Sequence, residues 1–261
     1  MVLIVTSFGA TKNYPDKEMM KKTFNAFLNS LRRQTNKNFK LFISHHDRPW
    51  VSRHDDFIVW CDVADGMEAT CVPKKLPEKP IETIEFQSVP YNCKMTDMSR
   101  KTYNSVIWAG KYAFQHNLDK FWMLRMDSDD MLAKDMVERL NSLDTEEIKA
   151  IYNRQCHIFD VKNKEIAEQY LLYSSTCNAL FMEIKGDELP NWYYHCNDHT
   201  KFASMVIQDD IPSEEWDWTL CISTNSGNHI SDRTGIGSYD NIRKVKLTED
   251  LIDRYGLKSI L

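Results

Sequence analysis

The sequence predicts a single α/β domain in which a central, mostly parallel sheet is flanked by helices. The β-rich segment VLIVTSF at 2–8 is followed by a helical pattern from about Asp16, and then by a second strand, FKLFIS, at 39–44. Strands that alternate with helices favour a parallel sheet. The run FWMLRM at 121–126 is apolar enough for a central strand. At 261 residues the chain is long enough to bury the core of one such domain.

Further elements of the first half follow from hydrophobic spacing and from helix-start signals. Ser99 is a plausible N-cap for a second helix at 99–117, and DFIVWCDV at 56–63 predicts a third strand. Prolines recur within 72–90 and predict an irregular surface loop there. The first helix is predicted from apolar residues at helical spacing, namely Met20, Phe24, Phe27, Leu28 and Leu31.

The second half has a less regular pattern. The segment 133–143 predicts a helix, and strands are predicted at 149–153 and 179–184. An aromatic and polar stretch covers 191–217. The tail at 247–257 predicts a short helix that opens on Thr248 and ends at Gly256, which is typical of helix caps.

Charge and composition exclude several classes of protein. The formal net charge of -5 provides no positive field for nucleic acid, so we expect no nucleic-acid partner. The first residues lack the basic and apolar regions of a signal peptide, and no apolar run is long enough for a transmembrane segment. The seven cysteines are widely spaced without a CxxC pair, which predicts reduced thiols and a cytoplasmic protein.

The strongest chemical signal is the acidic cluster at 127–130, which directly follows the predicted central strand. In open α/β sheets ligands bind beyond the carboxyl ends of the strands. Asp127, Asp129 and Asp130 repel one another, and a hard divalent cation such as Mn²⁺ or Mg²⁺ would relieve that repulsion. The competing interpretation is an acidic helix cap or a solvated turn.

Other uses of these residues agree less well with the sequence. An EF-hand loop starting at Asp127 requires glycine at its sixth position, where Leu132 stands. His195 and His199 have the spacing of a zinc helix, but Cys196 replaces the glutamate of the HExxH motif. The chain also has no GK[ST] sequence, which excludes a P-loop.

The acidic motif resembles that of the GT-A glycosyltransferases, and within them the rhamnosyltransferase group. That group carries an arginine, an apolar residue and an acidic quartet, here Arg125-Met126-Asp127-Ser128-Asp129-Asp130. SLRRQTNKNFKLFIS at 30–44 is similar to the family's first helix and second strand, and DRYGL at 253–257 to its C-terminal helix. The resemblance covers most of the chain and implies a GT-A fold, which is Rossmann-like.

The resemblance implies a metal-dependent transfer of a sugar from a nucleotide-diphosphate sugar donor to a glycan or other hydroxyl acceptor. The donor would bind the half at 1–130, and 131–261 would form the acceptor side and the C-terminal helix. Asp129 is implied as a ligand of Mn²⁺ or Mg²⁺, with Asp127 near the metal or the ribose. His229, in a loop, matches the position of a third ligand, although a surface histidine explains it equally well.

Other donor-binding residues are assigned from their places in such a fold. Thr6, Ser7 and Asp47 follow predicted strands, where the base and ribose would be held. Ser7 departs from the basic residue of the rhamnosyltransferase group, which leaves the donor sugar open. Arg125 could contact a carboxylate or the phosphates, or pair internally with an aspartate. Arg100 and Lys101 could reach the diphosphate, or simply form a solvated helix start.

An inverting transfer needs a carboxylate base for the acceptor hydroxyl. Asp198 matches the separation between metal motif and base in related enzymes, and Asp217 competes with it. Aromatic residues in the same stretch could stack on sugars or belong to the core. Two rival functions remain, a sugar nucleotidyltransferase and a non-catalytic carbohydrate-binding relative. The aromatic residues concerned are Trp192, Tyr193, Trp216 and Trp218.

Overall fold

A computed structural model describes residues 1–8, 16–45, 55–62, 71–73, 86–88, 97–184, 193–196, 199–224, 236 and 241–261. Its largest element is a seven-stranded sheet with the order β12-β8-β11-β6-β1-β2-β3. In chain order these strands are β1 (Val2–Ser7), β2 (Phe39–His45), β3 (Ile58–Asp62), β6 (Lys120–Arg125), β8 (Ala150–Tyr152), β11 (Asn178–Glu183) and β12 (Ser213–Glu215).

The seven-stranded sheet is mostly parallel, as predicted. The strands β3, β2, β1 and β6 run parallel to one another, and β12 runs parallel to β8. The strand β11 is antiparallel to both of its neighbours, β6 and β8. Its parallel strands β1, β2 and β6 are almost entirely buried, which explains their unbroken apolar sequences.

Helices cover both faces of this sheet, which confirms the predicted α/β class. One face packs against α1 (Lys17–Arg32) and α3 (Met136–Ser142), and the other against α2 (Asp97–Gln115), α4 (Tyr193–Cys196) and α5 (Phe202–Gln208). Alternate residues of each strand enter the two cores. In β6, for example, Trp122 and Leu124 face α1 and α3, whereas Phe121 and Met123 face the other side.

A second sheet of five strands was not predicted. Its order is β14-β10-β9-β13-β7. Only β13 and β9 are parallel among its pairings. Its strands are β7 (Met131–Leu132), β9 (Gln155–Asp160), β10 (Glu165–Tyr170), β13 (Leu220–Thr224) and β14 (Ile242–Val245). One of its faces packs against α6 (Glu249–Tyr255), where Phe159 and Tyr255 share a core.

Several local predictions can be compared with the structure. Thr248 accepts a hydrogen bond from Leu251 N, and Gly256 has φ +69°, so both predicted caps of α6 are confirmed. Ser99 as an N-cap is wrong, because α2 already begins at Asp97. Part of the predicted irregular loop at 72–90 pairs as two short antiparallel strands, β4 (Cys71–Pro73) and β5 (Phe86–Ser88). In the described chain no helix has the length and apolarity to cross a membrane.

Candidate active site at the acidic turn

The acidic turn, defined as residues 127–130, carries the chain from one sheet to the other. The strand β6 ends at Arg125, and Met126 N still donates to Val5 O of β1 at 3.2 Å. Asp130 N then donates to Asp127 O at 3.4 Å, which closes the turn. The next residues, Met131 and Leu132, form β7 of the five-stranded sheet. The acidic turn therefore lies at the carboxyl end of a central strand.

The chain that leaves the acidic turn is held by the first helix. Ser30 Oγ accepts a hydrogen bond from Leu132 N at 3.1 Å. Gln34 Nε2 donates to Ala133 O at 2.8 Å, and Gln34 Oε1 accepts from Val137 N at 3.1 Å. Both polar side chains are 1% exposed. This support fixes β7 and the start of α3 rather than the acidic turn itself.

Asp130 differs from the other two aspartates in being buried. It is 3% exposed, and its two carboxyl oxygens accept hydrogen bonds from Thr176 Oγ1 at 3.1 Å and Ser223 N at 3.2 Å. Burial, with the charges of Asp129 and Asp127, holds the pKa of Asp130 well above its ordinary value. The competing interpretation of the acidic cluster as a helix cap is wrong for Asp130, because Asp135 occupies the N-cap of α3.

Asp127 and Asp129 are both partly exposed at the end of β6. Their charges contribute to the raised pKa of Asp130. Carboxylate oxygens such as theirs are the ligand type that hard cations such as Mn²⁺ or Mg²⁺ prefer in proteins. No group of three or more His, Cys, Asp or Glu side chains within the described ranges is arranged to hold a metal ion. His229, the predicted third ligand, lies outside those ranges.

Arg125 connects the end of β6 with α4. Its Nη1 donates to the carbonyl oxygen of His195 at 3.0 Å. The His195 ring is buried and stacks on Phe202 at 5.6 Å. Burial and the nearby Arg125 charge lower the pKa of His195 to about 3, so this imidazole is neutral at physiological pH. His195 is thus a core residue, and Arg125 fixes the short helix that precedes Asp198 in the chain.

Thr6 and Ser7 lie at the carboxyl end of β1, as predicted, but both side chains are buried. Ser7 Oγ accepts from Thr102 Oγ1 of α2 at 3.5 Å. Thr6 Oγ1 is enclosed without a hydrogen-bond partner in the described chain. Their side chains therefore face the interior. The predicted contact with a base or ribose stays a prediction.

The start of α2 lies at the same edge of the sheet. Asn104 Nδ2 donates to Ser44 Oγ at 2.9 Å and to Cys61 O at 3.4 Å, which ties the helix to β2 and β3. Arg100 and Lys101 belong to the first turns of this helix, and their side chains lie outside the described part of the structure. The backbone of α2 thus brings both residues to the carboxyl edge of the seven-stranded sheet.

Asp217 is exposed and lies before β13, at the opposite end of that strand from Ser223. Ala133 N donates to Thr219 O at 2.8 Å, so the chain near Asp217 lies beside the start of α3. The structure does not bring Asp217 to the acidic turn. Asp198 and Asp47 lie outside the described residues, as does Trp192, and nothing is described of the Tyr193 side chain.

The tryptophans flanking Asp217 serve the core. Trp216 is 4% exposed, and the Arg139 guanidinium lies 4.0 Å from the centre of its ring. Trp218 packs on the ring of His157 at 4.8 Å. The Trp218 carbonyl accepts a hydrogen bond from Tyr255 at 2.7 Å, which ties this segment to α6. Trp216 is therefore an interior residue, whereas Trp218 is partly buried and packs against His157.

Sequence reasoning missed the buried partners of the acidic turn. Thr176 and Ser223 lie 46 and 93 residues from Asp130 in the chain. Neither residue belongs to a motif, because hydroxyl groups and backbone amides carry no sequence signature for a distant partner. The sequence signal for these partners was the third acid of the cluster, because a buried carboxyl group requires hydrogen-bond donors.

Comparisons with known proteins give little help with function. No protein-family model matches the sequence. No curated protein sequence matches it either. Among solved structures, the chain is similar to the crystal structure of an active-site mutant of LgtC. The identity is 12%, the TM-score is 0.34, and the match covers 87% of this chain and 73% of the LgtC chain.

Proposed function

We propose that the chain is a GT-A type glycosyltransferase that uses a nucleotide-diphosphate sugar donor and a divalent cation. The observation that carries the proposal is the acidic turn at the carboxyl end of β6. Asp127 and Asp129 are partly exposed there, whereas Asp130 is buried beneath them. Ligands of open α/β sheets bind at this edge, and oxygen ligands suit Mn²⁺ or Mg²⁺.

In this proposal Asp129 and Asp127 hold the cation, with His229 as a third ligand. Bound Mn²⁺ or Mg²⁺ would offset the negative charge that grows on the diphosphate as the bond to the sugar breaks. The first turns of α2 would bring Arg100 and Lys101 to the same phosphates.

The acceptor in this proposal is a glycan or another hydroxyl compound. Asp198 is the proposed base that takes the proton of the attacking hydroxyl, which gives an inverting transfer. Its place in the chain supports this role, because Asp198 follows α4 by two residues and Arg125 ties α4 to the end of β6. Asp217 is the weaker candidate, since it lies at the far end of β13 from the acidic turn. A hexosyl donor, with rhamnose as one case, is the narrower form of the proposal.

The proposal predicts that a nucleotide sugar raises the melting temperature of the protein only when Mn²⁺ is present. We would screen a panel of nucleotide sugars by thermal shift, using wild type and Asp129→Ala. The variant should lose most of the Mn²⁺-dependent response, because one carboxylate ligand is removed. Loss of a side chain that binds the metal directly is expected to weaken metal binding by at least about tenfold.

The matched control is Asp135→Ala. Asp135 is a partly buried acid six positions after Asp129, and its side chain makes no cap hydrogen bond to α3. The control loses the same unit of charge and should respond to Mn²⁺ and donor like wild type. If no nucleotide sugar binds to wild type, or if Asp129→Ala responds like Asp135→Ala, the proposal is wrong.

A further inference from the structure

Asp130 joins the two sheets directly beneath the acidic turn. Thr176, which donates to one carboxyl oxygen of Asp130, lies two residues before β11 of the seven-stranded sheet. Ser223, whose backbone N–H is bound by the other oxygen, belongs to β13 of the five-stranded sheet. One buried side chain therefore bridges the two sheets where the chain crosses between them.

We infer that Asp130 is a positioning residue that fixes the orientation in which Asp127 and Asp129 present their carboxylates to a divalent cation. The inference rests on the proposed function, which assigns the cation to those two aspartates. It adds a role for a residue that has no place in the exposed ligand set, because Asp130 is 3% exposed.

The described hydrogen bonds of the acidic turn converge on Asp130. Among the described residues, the backbone of the turn is closed by a long hydrogen bond from Asp130 N to Asp127 O at 3.4 Å. The bonds from α1 act on Leu132, Ala133 and Val137, which follow the turn. Side-chain bonds at 3.1 and 3.2 Å hold Asp130 from two directions. Since Asp129 is the adjacent residue, any rotation of the turn about Asp130 would move its carboxylate.

The hydrogen bonds of Asp130 also hold the end of β13, from which the chain continues toward the predicted third ligand. Ser223 is followed by Thr224, the last residue of β13, and the chain then continues toward His229. The bond from Ser223 N to Asp130 sets where this segment starts relative to the acidic turn. Asp130 thus fixes both the two aspartates and the start of the segment that follows β13.

The competing explanation is that Asp130 contributes only to stability. The positioning role predicts that a substitution of its partner Thr176 also weakens Mn²⁺ binding, whereas a purely structural role predicts a loss of stability alone. Thr176→Val removes the hydroxyl that donates to Asp130 but keeps a similar volume. Thr176→Ser keeps the hydroxyl. The matched control is Thr23→Val on α1, because Thr23 is also buried, at 3% against 6% for Thr176, and its hydroxyl donates to Met20 O at 3.0 Å.

The experiment measures the Mn²⁺ concentration that gives half of the maximal thermal shift, and the electron paramagnetic resonance signal of free Mn²⁺ as a direct binding assay. We expect Thr176→Val to raise the half-saturating concentration several-fold, up to about tenfold, because Thr176 acts on the metal ligands through Asp130 and about tenfold is the lower end of the effect of removing a direct partner of a ligand. Thr176→Ser and Thr23→Val should stay within about twofold of wild type, since metal ligands and their partners remain in place. Both valine variants should lose similar stability without Mn²⁺.

Equal half-saturating concentrations for Thr176→Val and Thr23→Val would overturn the positioning role while leaving the proposed function intact. The same holds if Thr176→Ser weakens Mn²⁺ binding as much as Thr176→Val, because the hydroxyl would then be irrelevant. A wild-type protein that binds no Mn²⁺ in either assay would overturn both the inference and the metal dependence of the proposed function.

Discussion

At the scale of single residues, the three acids of the turn have different environments. Asp127 and Asp129 face solvent in part, whereas Asp130 is enclosed and hydrogen bonded. A buried acid near two other carboxylates favours its protonated form, which explains the direction of its pKa shift. One sequence motif therefore contains two candidate ligands and one interior residue.

The raised pKa of Asp130 predicts how Asp130→Asn changes the pH dependence of stability. In the unfolded chain the carboxyl group ionises near its ordinary pKa, while the folded protein retains the proton to higher pH. The free energy of unfolding of wild type therefore falls as pH rises from the ordinary pKa of the carboxyl group toward its raised pKa in the folded protein. Asparagine cannot ionise, so the free energy of unfolding of the variant should rise relative to that of wild type as pH increases above the ordinary pKa of an aspartate.

Urea denaturation at several pH values, with a chelator present, would measure this difference. The loss of stability toward acid should persist in both proteins, because burial lowers the pKa of His157 to about 4 and that of His195 to about 3. Both imidazoles stay neutral in the fold to lower pH than in the unfolded chain. The free energy of unfolding therefore falls as pH drops below the ordinary pKa of histidine, where the unfolded chain takes up protons. A difference between variant and wild type that stays constant from pH 5 to 8 would show that folding leaves the ionisation of Asp130 unchanged.

At the scale of elements, the sequence was informative where hydrophobic periodicity was strong. The spacing of Met20, Phe24 and Phe27 predicted α1, and the unbroken apolar runs predicted β1, β2 and β6. The strands β9, β10 and β13 were missed. Their segments mix polar with apolar residues. In β9, buried His157 has its hydrogen-bond partner, Tyr255, in α6, and buried Asp160 accepts hydrogen bonds from Asn163 in the following turn.

The candidate site, like the strands, was predicted only in part from the sequence. The order of strand and acids predicted the location of the acidic turn, because local sequence determines where β6 ends. The contacts that give Asp130 its burial come from Thr176 and Ser223, which only the packing of two sheets brings near it. Local pattern therefore predicts where a site lies, whereas the roles of its members depend on long-range pairing.

The cap of α6 offers a prediction at this scale. Gly256 adopts φ +69°, and a Cβ placed there would lie 3.0 Å from the Cδ of Arg33. Gly256→Ala should therefore lower the free energy of unfolding by about 1 kcal/mol or more, from backbone strain and this contact. Denaturant unfolding would measure the change. The control is Lys258→Ala, at an exposed position of the following turn, which should change the free energy of unfolding by no more than about 0.5 kcal/mol. An equal effect of both variants would contradict the role of Gly256 in the cap.

At the scale of the whole molecule, the seven-stranded sheet supplies the edge at which the candidate site lies. The five-stranded sheet receives the chain after the acidic turn and is covered on one face by α6. Asp253 of α6 forms ion pairs with Arg33 and Lys134, so the C-terminal helix is fastened to α1 and to the chain between β7 and α3. The acidic turn thus lies at the junction of two separately supported sheets.

The most direct test of the central claim is to identify the nucleotide product. Purified protein would be incubated with each nucleotide-diphosphate sugar and Mn²⁺, with and without hydroxyl acceptors, and the products separated by ion-exchange chromatography. The proposed glycosyltransferase should release a nucleoside diphosphate from at least one donor, faster with an acceptor, and Asp129→Ala should release little. Formation of a nucleoside monophosphate and a sugar phosphate, or no nucleotide product with any donor, would contradict the account.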